Sequence, residues 1–306
     1  MSATALPAPR GISLPSGKAV ASLLMLLPGL AFLFAFLVLP SLVLLGNGFM
    51  TQHQSGDVAP PFSLANFDRL LFSPAYQRTV LLTLKVAFVT SGITLLLAYP
   101  LAMAIAYARP FFSRLTMVLV VAPLVVSVLV RSYGWQLLLG NSRTGVLNWL
   151  LEGVGLGVTP VKIMYTEWAV VVASVHVFLP LMVLPIATSL TRINPAINEA
   201  ARMLGAAPWR AFLRVTLPLS IPGLTAGISI VFSLTAASYI TPAMLGGTRG
   251  AMLGNLLEQQ VTTAYDWAMG GAIAFLMVAI ALLANFGATW LIEYRQRARR
   301  LASGAH

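Results

Sequence analysis

The sequence predicts an all-α membrane protein of six transmembrane helices with kinked spans. Three observations carry this. Hydrophobic residues make up 58% of the 306 and charged residues only 9%, six apolar runs are long enough to cross a bilayer, and Lys and Arg gather on alternate loops. Roughly a quarter of the residues of a water-soluble domain are charged, so the composition excludes that class. The net charge of +11 reads as membrane topology and not as a nucleic-acid footprint, because most of the cations flank apolar runs and form no basic face on a polar module. With no cysteine, disulfides, thiol chemistry and Cys-based metal sites are excluded.

A membrane-crossing helix needs about 20 predominantly apolar residues, and the runs meet this in order. Residues 1–18 are an N-terminal segment containing Arg10 and Lys18. The run 19–45 is uncharged and exceeds a signal-peptide core of about 7 to 15 residues, so it is expected to remain as the first span. A long loop, 46–79, separates it from a core, 80–292, with five more runs. These cover 80–107, with Lys85 near one end and Pro100 near the other, then 115–139, with Arg131 in its final third, then 168–190, 221–245 and 267–292. A basic tail, 293–306, closes the chain.

Orientation follows from the cations, which cytoplasmic loops carry in excess. One face collects Arg10, Lys18, Arg109, Arg114, Arg192, Arg202, Arg210, Arg214 and the tail arginines. The other has only Arg69, Arg78, Arg143, Lys162 and Arg249. Both termini are therefore expected in the cytoplasm. On the opposite side the loops 46–79 and 140–167 are long enough for small caps, with a short amphipathic helix expected from Thr144. Trp135, Trp149, Trp168, Trp267 and Trp290 fall near span ends, where amphipathic rings sit at headgroup level.

The inner loop 191–220 is the most patterned stretch. Asn194 can cap a helix whose first turn holds Pro195, the stretch 196–204 is rich in helix formers, and Gly205 is placed to end it in a left-handed conformation. Pro208 can open a second short helix, with Trp209, Phe212, Leu213 and Val215 on an apolar face and Arg210 and Arg214 elsewhere, and Pro218 is expected to stop it. Two short helices about a glycine bend would make a knob on the cytoplasmic side.

Glu199, Ala200 and Ala201, then Gly205 four residues on, then Val215, Thr216, Leu217 and Pro218 resemble the EAA loop of ATP-binding-cassette importer permeases. Val215 stands where that loop usually has Ile. The resemblance implies that Glu199, Ala200, Ala201, Gly205, Val215, Leu217 and Pro218 belong to a cytoplasmic coupling helix that docks in a groove of an ATPase subunit. It extends over about 80–285 and is closest to permeases of the spermidine/putrescine type, through Val130-Arg-Ser-Tyr-Gly-Trp, Phe178-Leu-Pro-Leu-Met-Val-Leu-Pro, Tyr239-Ile-Thr-Pro-Ala-Met-Leu-Gly-Gly and Met252-Leu-Gly-Asn. The partners it implies are a second permease, identical or homologous, an ATPase dimer that binds ATP and Mg, and a periplasmic solute-binding protein. This chain itself would bind no cofactor.

Polar groups inside the spans are the candidates for the solute pathway, because a charge at the bilayer centre costs at least ~2.5 kcal/mol on insertion scales. Arg131 lies 16 residues from the inner end of its run, which as a straight helix is about 24 Å and places it in the outer leaflet. It either snorkels to the headgroups or faces a cavity or interface. Lys85 reads as a snorkeller, and His176 as either a hydrogen-bonded packing residue or a pathway residue. A polyamine would seek carboxylates and aromatic faces, which Glu167, Asp266, Tyr133, Trp135, Trp168 and Tyr239 offer. Arg131 better suits an anionic or zwitterionic solute such as a phosphonate.

Other classes find no support. The sequence has no phosphate-binding Gly-x-x-x-x-Gly-Lys-Ser/Thr loop, so nucleotide is expected on another chain, and no His-Glu-x-x-His or Gly-x-Ser-x-Gly hydrolase motif. An ion-coupled secondary carrier usually places acidic or histidine relays in the membrane, and no expected span interior has an acid.

Overall fold

The computed structural model describes residues 17–53, 56–143, 145–155 and 160–303, with side chains described for these positions between 25 and 287 and at 290. The leader with Arg10, the side chains of Lys18 and of the tail arginines, and Thr144 lie outside them. Among the described residues five helices are long and apolar enough to cross a membrane singly, and a bent pair has the length and apolarity of a sixth.

The first span runs through Gly17–Leu33, a π turn at Phe34–Val38 and Leu39–Asn47. In the π turn the Leu39 N–H reaches back five residues to the Phe34 carbonyl, and the slipped register makes room for Pro40, which has no N–H to give. Phe212–Thr216 repeats the device ahead of Pro218, with the Leu217 N–H on the Phe212 carbonyl. This corrects the expectation that Pro218 ends a short helix. One continuous run, Pro208–Ala236, passes straight through it.

The third span is the larger correction. Expected as one helix over 115–139, it is two, Pro110–Val125 and Val128–Leu138, bent by 101°. Pro123 lies in a 3-10 turn, Ala122–Val125, and Val126 is extended. Ser127 then caps the next helix, its Oγ accepting from the Leu129 N–H at 3.3 Å. The ~24 Å depth assigned to Arg131 assumed a straight helix and falls with that assumption. The fifth span also differs from 221–245: it starts at Pro208, stops at Ala236, and resumes after Ala237–Tyr239 only as the short helix Ile240–Leu245.

The fourth span, Glu167–Thr191, is the centre of the bundle. Of its most apolar window 61% is buried, against 0% for the first span. Its main neighbour is the second span, Pro74–Tyr107, whose 34 residues extend about 51 Å and so project beyond the ~30 Å hydrocarbon core. Between them Val86 of the second span packs with Val170, Val171 and Val175 of the fourth, and further along the small Ala98 and Ala102 pack with Met182, Val183 and Ile186. Small side chains let membrane helices approach closely where no hydrophobic force between helices exists. The fifth span meets the fourth at Gly223, where a Cβ would come within 2.5 Å of the Pro185 carbonyl oxygen and the Ser189 Cβ.

The sixth span is Trp267–Ser303. Opposite the 192–220 loop, the bundle end is capped by helices Ala65–Phe72, Val146–Gly153 and Leu253–Thr262 and by a two-stranded antiparallel ribbon pairing Thr51 with Ala59. Gln52 ties the first span to the sixth there, donating to the Tyr265 carbonyl and accepting from the Ala268 N–H, both at 3.3 Å.

Candidate functional site

The patterned loop folds as its residues dictate locally. The Asn194 side chain accepts the Ala196 N–H at 3.0 Å and opens the helix Pro195–Met203. At its other end the Gly205 N–H bonds the Arg202 carbonyl at 3.0 Å and the Ala206 N–H bonds the Ala201 carbonyl at 3.1 Å. That pair of bonds is a Schellman closure, and it requires the left-handed conformation that Gly205 adopts at φ +81. The Ala201 to Gly205 spacing is thus the spacing between the carbonyl that the Ala206 N–H closes on and the residue that turns the chain.

The closed helix presents a defined tip. Glu199 and Ala200 are exposed and Ala201 half-buried, while Met203 and Leu204, at 90% and 89% exposure, project freely. Among the described residues no ion pair involves Glu199. Trp209 is exposed with the Arg210 guanidinium 5.2 Å from its ring centroid, so the apolar face expected of 208–215 is only partly turned inward. Val215, Leu217 and Pro218 are half-buried in the fifth span.

A link that sequence reasoning missed holds the tip to the membrane helices. Thr216 Oγ1 donates to Asn198 Oδ1 at 3.2 Å, joining the short helix to the π turn of the fifth span. Phe212, in that turn, meets the Tyr99 ring edge-on at 5.5 Å, and Tyr99 hydrogen-bonds Ser220 at 2.9 Å. The tip, the fifth span and the second span are thus joined by a continuous set of contacts. Beside it a groove of about 780 Å³ opens between the fourth and fifth spans, lined by Arg192, Asn194, Ile197 and Pro222 among others.

At the opposite end three expected pathway residues come together. Arg131 Nη1 donates to the Val177 carbonyl at 3.3 Å, while its Nε is buried without a partner. One turn on, Trp135 Nε1–H donates to His176 Nδ1 at 3.2 Å, which leaves the imidazole proton on Nε2. Ser132 meets Thr241 at 3.4 Å and Gln136 donates to the Met244 carbonyl at 2.8 Å. The bent half-span Val128–Leu138 is thereby stitched to the fourth span and to Ile240–Leu245. The other expected residues lie elsewhere. The half-exposed Lys85 reaches the outer end of the fourth span, where its Nζ pairs with Glu167 Oε1 at 2.6 Å beside the exposed Trp168. Asp266 accepts the Met269 N–H at 2.9 Å as a cap of the sixth span, Tyr133 is exposed, and Tyr239 sits in the break after the fifth span.

This architecture has known counterparts. Residues 95–301 match the family model described as the binding-protein-dependent transport system inner membrane component. The chain is similar to the spermidine/putrescine transport system permease protein PotB of Haemophilus influenzae, with 33% identity covering 83% of this chain and 88% of that one. PotB of Escherichia coli K12 is 31% identical, covering 86% and 95%. An E. coli inner membrane ABC transporter permease protein, YdcU, is 33% identical, covering 80% of each. Among solved structures, a bacterial ABC transporter involved in import of the acidic polysaccharide alginate shares the fold, with TM-score 0.69 at 20% identity over 91% of this chain and 96% of that chain. The chain therefore belongs to the family of binding-protein-dependent transport system inner membrane components, as a multi-pass permease subunit of an ATP-driven importer whose ATPase is a separate subunit.

Proposed function

We propose that the chain forms one half of the membrane path of a polyamine importer, with both termini and the 192–220 loop in the cytoplasm. The observation that carries the solute is the identity of 31–33% to PotB permeases over more than four fifths of the chain. The arginine asymmetry of the loops supports the orientation. In this reading a second permease, identical or homologous, completes the path. An ATPase dimer holding ATP and Mg grips the two short helices through Met203, Leu204 and Glu199, and a periplasmic binding protein delivers solute to the capped end. Closure of the ATPase would move the Pro195–Met203 helix, and the Asn198 to Thr216 bond would carry that movement into the fifth span. Uptake of labelled putrescine or spermidine by cells carrying the complete system, competed by unlabelled amines and by small organic anions, tests the solute. Amine-specific competition is expected; no amine uptake, with inhibition by a phosphonate or carboxylate, would overturn it.

A second reading, in which the same importer carries an anionic or zwitterionic small molecule, draws on Arg131, whose Nε is buried unpartnered and which forms no ion pair among the described residues. The same competition series distinguishes the two.

A further inference from the structure

The residues that follow the fifth span hold a second feature at the capped end. A depression of about 320 Å³ lies between the ends of the first, fifth and sixth spans and the helix Leu253–Thr262, within the size range of small-molecule sites. Its polar wall is Glu258, and two aromatic rings, Tyr239 and Trp267, line it together with Leu44, Leu257 and Met277. Tyr239 and Trp267 are 48% and 42% exposed, so both rings have surface to give a ligand.

The surrounding structure sets these groups in place. Tyr239 lies where the fifth span breaks, and Asn255 Nδ2 donates to its carbonyl at 2.9 Å. Gly254 lets the helix approach that break, since a Cβ there would stand 2.6 Å from the Ser238 carbonyl oxygen. Leu253 N–H, at the start of the same helix, is fixed to Thr83 Oγ1 of the second span at 2.9 Å. Glu258 follows one turn after Gly254, and Thr262 Oγ1 stands 3.1 Å from its Oε1. Of the carboxylates at this end, Glu167 is paired with Lys85, Glu152 lies 4.0 Å from Arg143, and Asp266 caps a helix. Asp57, Asp68 and Glu258 form no ion pair among the described residues, and of these three Glu258 lines the depression.

From this we infer that the depression binds one protonated amine end of an aliphatic di- or polyamine. Glu258 is the counter-ion, Tyr239 and Trp267 face the ammonium through their rings, and Leu44, Leu257 and Met277 receive the methylene chain. A carboxylate beside two aromatic faces favours an alkylammonium over an inorganic cation, because the rings attract the charge while the apolar wall accepts the chain. The site is distinct from the Arg131 cluster, which removes the conflict between that guanidinium and a cationic solute. This inference rests on the polyamine reading above.

The test uses the complete purified importer without its binding protein, with labelled spermidine as the probe, alongside uptake by cells. Wild-type complex is expected to bind spermidine saturably. Glu258→Gln and Trp267→Leu are each expected to weaken that binding about tenfold, equivalent to ~1.4 kcal/mol, with Glu258→Asp restoring part of it. Glu152→Gln, which changes an exposed acid elsewhere at this end, is expected to leave binding unchanged. Wild-type amine uptake with no binding to the complex, or with binding unaltered by Glu258→Gln and Trp267→Leu, overturns the site and leaves the polyamine reading intact. No amine uptake by wild type overturns both.

Discussion

Replacing Gly205 tests the coupling loop with the least collateral change. A Cβ built at this position has nothing within 4 Å in this chain, so within the permease the effect is confined to the backbone, and the Asn variant below controls for contact with the ATPase. At φ +81 an L-residue with a Cβ is strained by roughly 1–2 kcal/mol, more when β-branched. If the chain instead relaxes to negative φ, it forfeits the bonds from Gly205 N–H to Arg202 and from Ala206 N–H to Ala201, each worth about 1 kcal/mol net. Either route disfavours the closed tip by about 1–2 kcal/mol, a factor of roughly 5–30 in its population. Gly205→Val is therefore expected to insert at wild-type abundance and to lose most solute-stimulated ATP hydrolysis by the reconstituted importer. Gly205→Ala should lose less, and Gly205→Asn should stay near wild type, because Asn tolerates the left-handed region. Full stimulated hydrolysis in Gly205→Val, or equal loss in Asn and Val, would refute the reasoning.

Two further expectations follow from the same geometry. Asn198→Ala and Thr216→Val each remove one side of the 3.2 Å bond that ties the tip to the fifth span, and each should cost about 1 kcal/mol. In a double-mutant cycle on stimulated hydrolysis their effects should be far from additive, and simple additivity would show that the bond carries no coupling. For topology, a cysteine at the exposed Gly153, introduced into a chain that has none, should react with an impermeant thiol reagent added outside intact cells. One at Ala206 should not, and its labelling from outside would invert the assigned orientation.

What was legible in the sequence was local. Apolarity over 20 or so consecutive residues announces a crossing whatever its neighbours, and the spans at 80–107, 168–190 and 267–292 correspond to Pro74–Tyr107, Glu167–Thr191 and the start of Trp267–Ser303. The helix cap at Asn194 and the turn at Gly205 could be read because cap and Schellman bonds join residues only a few positions apart. The break at Pro123 to Ser127 is also local, but uninterrupted apolarity masked it. Pro218 misled for the opposite reason: its local signal is a stop, and a π turn five residues long absorbs it.

The tertiary structure alone decided which polar groups meet. Lys85 finds Glu167 across 82 positions, Trp135 finds His176 across 41, and Thr216 finds Asn198 across 18. Glu258 shares a depression with Tyr239 and Trp267 only because Gly254 lets one short helix close over the end of the fifth span. Such pairings depend on how each helix is rotated about its axis and where it crosses its neighbours. Those quantities are set by the fit of one helix face into another, as where the small Ala98 and Ala102 receive Met182, Val183 and Ile186. The composition of a single segment determines that it enters the membrane, whereas the side chain it meets there is determined by packing between segments.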